Sequence, residues 1–319
     1  MKSILKLIRW QNLLFIVFIM LLMEKFVAEP ILCAAYFEPL LPSYILLLLI
    51  IGVVFVAAGG YAINDYFDVR IDAINRPEKQ IVTRTVTKQT AMLCHQIMTV
   101  IGALSGITAA VVLRSWSLGL IFVFTPGLLW FYSSSYKRQF IIGNLIVSLA
   151  AGLVPLVIAI ANVAILHRDF ENILPYTSLA HDLYLWIGVF AIFAFLMTLI
   201  REIIKDMQDE IGDRELECHT LPVKLGTTWT KVIVISLIVI ACSAMTYFVY
   251  LYCGKMGITS WHSLPYRYLL FAVIIPCLCE IALVISAKIP SEYRSAQLLM
   301  KFIMFLGVLF TIVILKTIH

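Results

Sequence analysis

The sequence predicts an all-α fold, a polytopic membrane bundle of about nine transmembrane helices, and three observations carry that expectation. Hydrophobic residues make up 62% of the chain and charged residues 13%, where a soluble chain carries roughly twice that charge fraction. Apolar runs of about twenty residues, long enough to cross a bilayer core as a helix, recur along the chain. No segment alternates with period 2 as a membrane barrel would, so helices are the spanning element.

The runs fall at about 11–33, 44–63, 92–113, 117–134, 141–163, 183–201, 232–252, 267–287 and 297–316. Lys2, Lys6 and Arg9 precede the apolar stretch Leu13–Met23, an outline like that of a signal peptide. No small-x-small cleavage site follows, and further spans do, so the segment reads as an uncleaved first helix. Glu24 and Lys25 interrupt it, which suggests an interfacial turn or a locally wet helix. With the N-terminus in the cytoplasm, 18 of the 24 Lys and Arg residues fall in cytoplasmic segments, as the positive-inside rule requires. The chain is thus expected to be a multi-pass protein of a cell or inner membrane, surrounded by lipid. Its scattered cations form no basic face, which excludes nucleic acid as a partner. Seven cysteines, mostly inside apolar runs and without a CxxC pair, suggest neither zinc nor redox chemistry. The six histidines form no constellation.

Asn64-Asp65-Tyr66-Phe67-Asp68-Val69-Arg70-Ile71-Asp72 follows the second run and concentrates the polar groups. In a helix Asp65, Asp68 and Asp72 lie at i, i+3 and i+7 on one face, joined by Asn64. Three anions on one stripe repel each other unless a cation neutralises them. Asp206, Asp209 and Asp213 repeat the spacing, each 141 residues after its counterpart, again behind an apolar run. The offset suggests one transmembrane domain over 1–319 built as two quasi-repeated halves, about 1–140 and 141–319, and the two stripes look like halves of one site. Both then face the cytoplasm. Mg²⁺ prefers oxygen ligands and is usually held by one or two carboxylates plus substrate phosphates. Paired stripes therefore suit a lipid diphosphate whose departure the metal assists. Solvated interfacial carboxylates paired with Arg70, Arg201 and Lys205 are the plain alternative.

Asn64-Asp65-x-x-Asp68-x-x-x-Asp72 with Asp206-x-x-Asp209-x-x-x-Asp213 resembles the UbiA superfamily of intramembrane prenyltransferases. That resemblance covers essentially the whole chain. It implies nine transmembrane helices and Mg²⁺-dependent ionisation of an isoprenoid diphosphate, with Asp68, Asp72, Asp209 and Asp213 as catalytic residues. It also implies metal ligation by Asn64, Asp65, Asp68 and Asp72 at one ion and by Asp206, Asp209 and Asp213 at the other. Asn64–Pro77, Arg201–Arg214, Thr220-Leu221-Pro222 and Gly143–Val147 resemble the branch that transfers geranylgeranyl to geranylgeranylglyceryl phosphate. The chain departs from the family after Arg76-Pro77, where Glu78–Thr83 replaces a Pro-Ile-Pro-Ser-Gly-like turn. Tyr132 and Lys137 resemble the family's Tyr-then-Lys motif, which implies substrate contact; Lys137 equally suits a positive-inside anchor. Arg76, Lys205 and Arg214 are further candidate phosphate contacts, and Asn12, polar within the first span, is a candidate cavity residue. Tyr61, Tyr66, Phe67 and Trp130 offer ring faces to an allylic cation. The expected partners are a prenyl diphosphate and a lipid or aromatic acceptor. Aromatic acceptors of quinone, haem or chlorophyll type remain the alternative. A CDP-alcohol phosphotransferase would need a single Asp-x-x-Asp-Gly-type run, and a transporter would place charge at the bilayer midplane.

Overall fold

Long apolar runs fold as helices in lipid because each backbone N–H and C=O must find its partner within the segment. The computed structural model describes residues 2–75, 77–172, 174–255, 257–258 and 260–318, with the side chains of residues 79, 255 and 314–318 outside that description. Among the described residues there are helices and turns, with an isolated bridge between Val82 and Val86 in place of any strand. In chain order the helices are α1 (Lys2–Leu7), α2 (Trp10–Met23), α3 (Glu29–Ala34), α4 (Ser43–Phe67), α5 (Val69–Asn75), α6 (Lys88–Val112) and α7 (Trp116–Ser134). Then come α8 (Ile142–Asp169), α9 (Leu179–Glu215), α10 (Leu221–Leu225), α11 (Thr227–Lys255), α12 (Leu264–Tyr268), α13 (Ile275–Ser286) and α14 (Pro290–Ile318).

Eight helical segments among the described residues are long and apolar enough to cross a membrane, and they match the second to ninth expected spans. The first differs. There α2 passes through a π turn, Glu24–Ala28, into α3, so its length is divided among three pieces. The cause lies at Glu24, which is 1% exposed and accepts a hydrogen bond from Asn162 Nδ2 at 2.7 Å. The extra residue of a π turn goes with a polar group drawn inward.

The chain divides into two compact units, residues 1–137 with 153–188, and residues 138–152 with 189–319. In the first, α4 and α6 pack through glycines. Gly102 and Gly106 form a small-xxx-small stripe on α6, the pattern that lets membrane helices approach backbone to backbone. A Cβ on Gly102 would lie 2.6 Å from the Val56 nitrogen. Ser105 Oγ adds a bond to the Leu48 carbonyl at 2.8 Å. The opposite face of α6 exposes Leu93, Ile97, Val100, Leu104 and Val111, as lipid contact requires. The loop after α5 closes onto this unit. Val82 and Val86 are buried with Leu7, Ala62 and Ala91, so the segment that departs from the family turn acts as an apolar plug.

In the second unit, α9 and α14 are tied by Gln297 Nε2 to Gln208 Oε1 at 2.6 Å. Tyr268 Oη donates to the Leu306 carbonyl at 2.8 Å. Lys231 Nζ caps the end of α13 at the carbonyls of Ile285 and Ala287, 3.0 and 2.5 Å.

Candidate functional site

The first motif lies where α4 ends. Asp68 closes α4 with φ −81° and ψ 0°, and α5 begins one residue later, carrying Asp72. Because Asn64 and Asp68 are one turn apart they meet: Asn64 Nδ2 donates to Asp68 Oδ2 at 2.7 Å. The other amide atom, Asn64 Oδ1, is buried with no hydrogen-bond partner. Cations arrive from distant parts of the same unit. Lys137, in the turn after α7, pairs with Asp68 Oδ2. Arg9 Nη2 reaches Asp65 Oδ1 at 2.8 Å and its guanidinium lies 4.9 Å above the Tyr61 ring. Burial works against both charges. Asp68 outweighs it at Lys137, with Tyr132 and Asp72 adding, and Asp65 outweighs it at Arg9, so both groups hold their protons above their ordinary ranges. Each is a fixed positive charge at any working pH.

Sequence reasoning treated Arg9 only as a topology signal. Its position one turn before Asn12, ahead of a span, was the available clue. Asn12 itself bonds the Tyr61 hydroxyl at 3.4 Å. Tyr132 is buried. Aromatic rings continue along α4 and α7, with Tyr66 to Phe67 at 5.2 Å, Phe67 to Trp130 at 5.7 Å and His95 to Trp130 at 5.3 Å. His95 Nδ1 is tied to the Gly59 carbonyl at 2.9 Å. Arg76 lies outside the described residues.

The second motif belongs to the other unit. α9 has 37 residues, far more than the about 20 that cross a bilayer core, so its last turns carry charge at the membrane edge. Asp206 Oδ2 accepts from Asn144 Nδ2 at 2.7 Å, and Ser148 Oγ bonds the Asn144 carbonyl at 2.6 Å. Asp213 is 5% exposed and accepts from Thr220 Oγ1 at 3.2 Å. The loop folds back to allow this, with the Cys218 amide on the Asp213 carbonyl at 2.8 Å. Asp209 is half-buried. Arg214 is exposed and bonded to Glu210 at 2.7 Å. Lys205 and Arg201 both go to Glu202, a buried carboxylate, Lys205 at 3.6 Å. Asn144 entered the sequence reading only through the likeness of Gly143–Val147, and Glu202 not as a site residue. Both are buried; Glu202 stands four residues before Asp206 on α9, whereas Asn144 reaches Asp206 from another helix, 62 residues away in sequence.

A hard cation suits these residues. The donors are carboxylate and carboxamide oxygens, the class Mg²⁺ prefers, and Asn64 Oδ1 is a buried oxygen still lacking a partner. Among the described residues no three acidic, His or Cys side chains converge as a ready-made metal cage. Mg²⁺ does not need one, since it takes one or two carboxylates and completes its shell with water and phosphate.

An all-helical bundle with membrane-length helices and two carboxylate-rich helix ends, each with an amide side chain bonded to one of its carboxylates, defines an integral multi-pass membrane protein. The model of the UbiA prenyltransferase family matches residues 26–313, and the chain belongs to that family. Among curated relatives, the digeranylgeranylglyceryl phosphate synthase of Methanobrevibacter smithii is 29% identical over 198 residues, covering 62% of this chain and 64% of the relative. The protein of the same name from Methanothermobacter thermautotrophicus is 33% identical over 190 residues, 59% of each chain. The matches thus span about three-fifths of those relatives' length. A solved structure described as a digeranylgeranylglyceryl phosphate synthase in membranes has the same fold, with TM-score 0.64, 23% identity and coverage of 99% and 98%. A UbiA homologue from Archaeoglobus fulgidus bound to GPP and Mg²⁺ follows at TM-score 0.56 and 13% identity, covering 98% of this chain and 99% of its own.

Proposed function

We propose that the protein transfers a polyprenyl group from a prenyl diphosphate to an acceptor within the membrane, with Mg²⁺ as cofactor. The donor is geranylgeranyl diphosphate and the acceptor geranylgeranylglyceryl phosphate. One observation carries this: each acidic motif has a carboxylate held by a carboxamide of its own unit, Asn64 on Asp68 and Asn144 on Asp206. Hard oxygen donors are thereby oriented before any ion arrives. The names of the curated relatives and the GPP and Mg²⁺ of the Archaeoglobus fulgidus homologue support the assignment.

Asn64, Asp65, Asp68 and Asp72 would hold one ion, and Asp206, Asp209 and Asp213 the other. Bound Mg²⁺ supplies neutralising charge to the diphosphate. Lys137, fixed as a cation, adds a point charge for the same leaving group, and Tyr132 helps to hold that charge electrostatically. The aromatic rings from Tyr66 to Trp130 offer π faces to the allylic carbon as positive charge develops. In the transfer the bond between prenyl C1 and the diphosphate oxygen breaks, and its electron pair leaves with the diphosphate. The acceptor hydroxyl oxygen bonds C1 and gives up its proton to the departed diphosphate. The same proposal places the N-terminus and both acidic segments in the cytoplasm, following the cation count, and treats the chain as one domain of two quasi-repeated halves.

Labelled geranylgeranyl diphosphate and Mg²⁺ are supplied to the purified protein in liposomes with geranylgeranylglyceryl phosphate or a phenolic acceptor, and the product mass is read. An ether lipid that vanishes with EDTA is expected. A phenolic product alone would move the acceptor to the aromatic class, and no product with either would end the proposal.

A further inference from the structure

One turn below the second motif, α9 carries a polar cluster that the metal chemistry does not use. Thr198, Arg201, Glu202 and Lys205 occupy positions i, i+3, i+4 and i+7, one face of the helix. Glu202 is buried and takes both cations, Arg201 through Nη2 and Lys205 at 3.6 Å. Neighbouring positions on a helix point about 100° apart, so the Arg201 side chain must curl to reach Glu202 and is held in that posture. Two donors remain unspent there. Arg201 Nε is buried without a hydrogen-bond partner, and so is the hydroxyl of Thr198, a residue 3% exposed. An unpaired buried donor is costly, and at a membrane edge such a group marks a binding function. Two cations share Glu202, and Asp206 is the next carboxylate beside Lys205, so Arg201 is the cation whose edge stays open. A planar guanidinium with a free edge, an ammonium and a hydroxyl together match a tetrahedral oxyanion.

We propose that Thr198, Arg201 and Lys205 form a phosphate-monoester subsite that binds the headgroup of the lipid acceptor, with Glu202 holding the two cations in place. The inference rests on the proposed function and deepens it by naming what recognises the acceptor. Arg201 lies five residues before Asp206, about 7.5 Å along the helix axis. That offset sets Thr198 and Arg201 apart from the residues assigned to the metal, while Lys205, next to Asp206, borders them. A headgroup phosphate anchored there leaves the acceptor hydroxyl free to approach prenyl C1. The donor's diphosphate, already served by the acidic motifs and Lys137, is the other source of the same oxyanion chemistry, and the experiment separates the two.

Wild type, Arg201→Lys, Arg201→Gln and Thr198→Val are purified full-length, and initial rates are measured against each substrate in turn with the other saturating. The acceptors are geranylgeranylglyceryl phosphate and its dephosphorylated alcohol. Thermal stabilisation by each lipid alone, without donor or Mg²⁺, provides a readout independent of turnover. Wild type is expected to prefer the phosphate over the alcohol. Arg201→Lys keeps the charge and the fold but loses the fork, so its acceptor KM rises about tenfold or more, its preference for phosphate shrinks, and its donor KM stays within about twofold. Stabilisation by the phosphate lipid falls in step, and Thr198→Val shifts the same quantities less. A rise in donor KM with acceptor KM unmoved would assign the cluster to the diphosphate and overturn the proposal. Unchanged constants in Arg201→Lys and Arg201→Gln would make it a self-contained ion cluster. Wild type that ignores the phosphate lipid but prenylates a phenol would refute the proposed acceptor itself, a failure visible before any variant is made.

Discussion

Asn64 holds Asp68 with one amide atom and leaves the other, Oδ1, as a buried oxygen without a partner; that division of labour is the chemistry of the motif in one side chain. Removing Asp68 strips Asn64 and Lys137 of their shared acceptor, so Asp68→Ala, and equally Asp209→Ala, is expected to abolish prenyl transfer while the protein still inserts in the membrane. Near-normal activity in both variants would sink the metal assignment. Asn144 is a subtler probe, since it contacts Asp206 and is not itself a proposed ligand. Asn144→Ala is expected to cost about 10–100-fold and to raise the Mg²⁺ concentration for half-maximal rate, with partial recovery at high Mg²⁺. Loss of rate at unchanged Mg²⁺ dependence would argue against its supporting role. The aspartate rows were legible because their spacing is local, three and four residues along one helix. Arg9 on Asp65 and Lys137 on Asp68 span 56 and 69 residues of sequence, and nothing in a linear pattern fixes such partners. Composition places the cations near the membrane edge, and only folding chooses their carboxylates.

Helices were the most readable objects at the next scale, because eight long apolar runs leave the backbone one way to satisfy itself in lipid. The first span was readable as a problem and not as a solution. Glu24 announced an interruption, but its partner Asn162 lies 138 residues on, so the π turn was invisible. The packing of α4 on α6 also escaped, although the stripe Gly102-xxx-Gly106 was in plain sight, since glycines in an apolar run signify nothing until the facing helix is known. The stripe can be tested. On Gly102 a Cβ meets backbone, the Val56 nitrogen at 2.6 Å and the Gly52 carbonyl oxygen at 2.9 Å, and backbone cannot step aside as a side chain does. Gly102→Val is therefore expected to destabilise the protein by about 1–3 kcal/mol, read as a lower thermal unfolding midpoint in detergent. Gly127 on α7 has nothing within 4 Å of its added Cβ. There Gly127→Ala leaves stability level or raises it by up to about 1 kcal/mol through helix propensity. Equal losses at the two sites would show that the α4–α6 contact is not held by close approach.

Across the whole chain, topology decides whether two motifs on separate helices can serve one chemistry. Between Asp68 and Asp209 the chain runs through four membrane-length helices, α6, α7, α8 and α9. An even number of crossings returns the chain to its starting side, whichever side that is. The prediction that both acidic segments share a compartment thus depends on counting helices and not on the charge bias. The charge bias then chooses the cytoplasm. The two steps separate experimentally in a background with the seven native cysteines replaced. Single cysteines at Glu78→Cys and Glu217→Cys, next to the motifs, are compared with Glu38→Cys and Glu171→Cys in the opposite loops, using a membrane-impermeant maleimide on vesicles of each orientation. Glu78→Cys and Glu217→Cys should label together, from the cytoplasmic face, and Glu38→Cys and Glu171→Cys together from the other. Joint labelling from the outer face would reverse the orientation and leave the chemistry standing. If Glu78→Cys and Glu217→Cys labelled from opposite faces, one of the four helices does not cross, and no diphosphate carried by a lipid in one leaflet could meet both motifs.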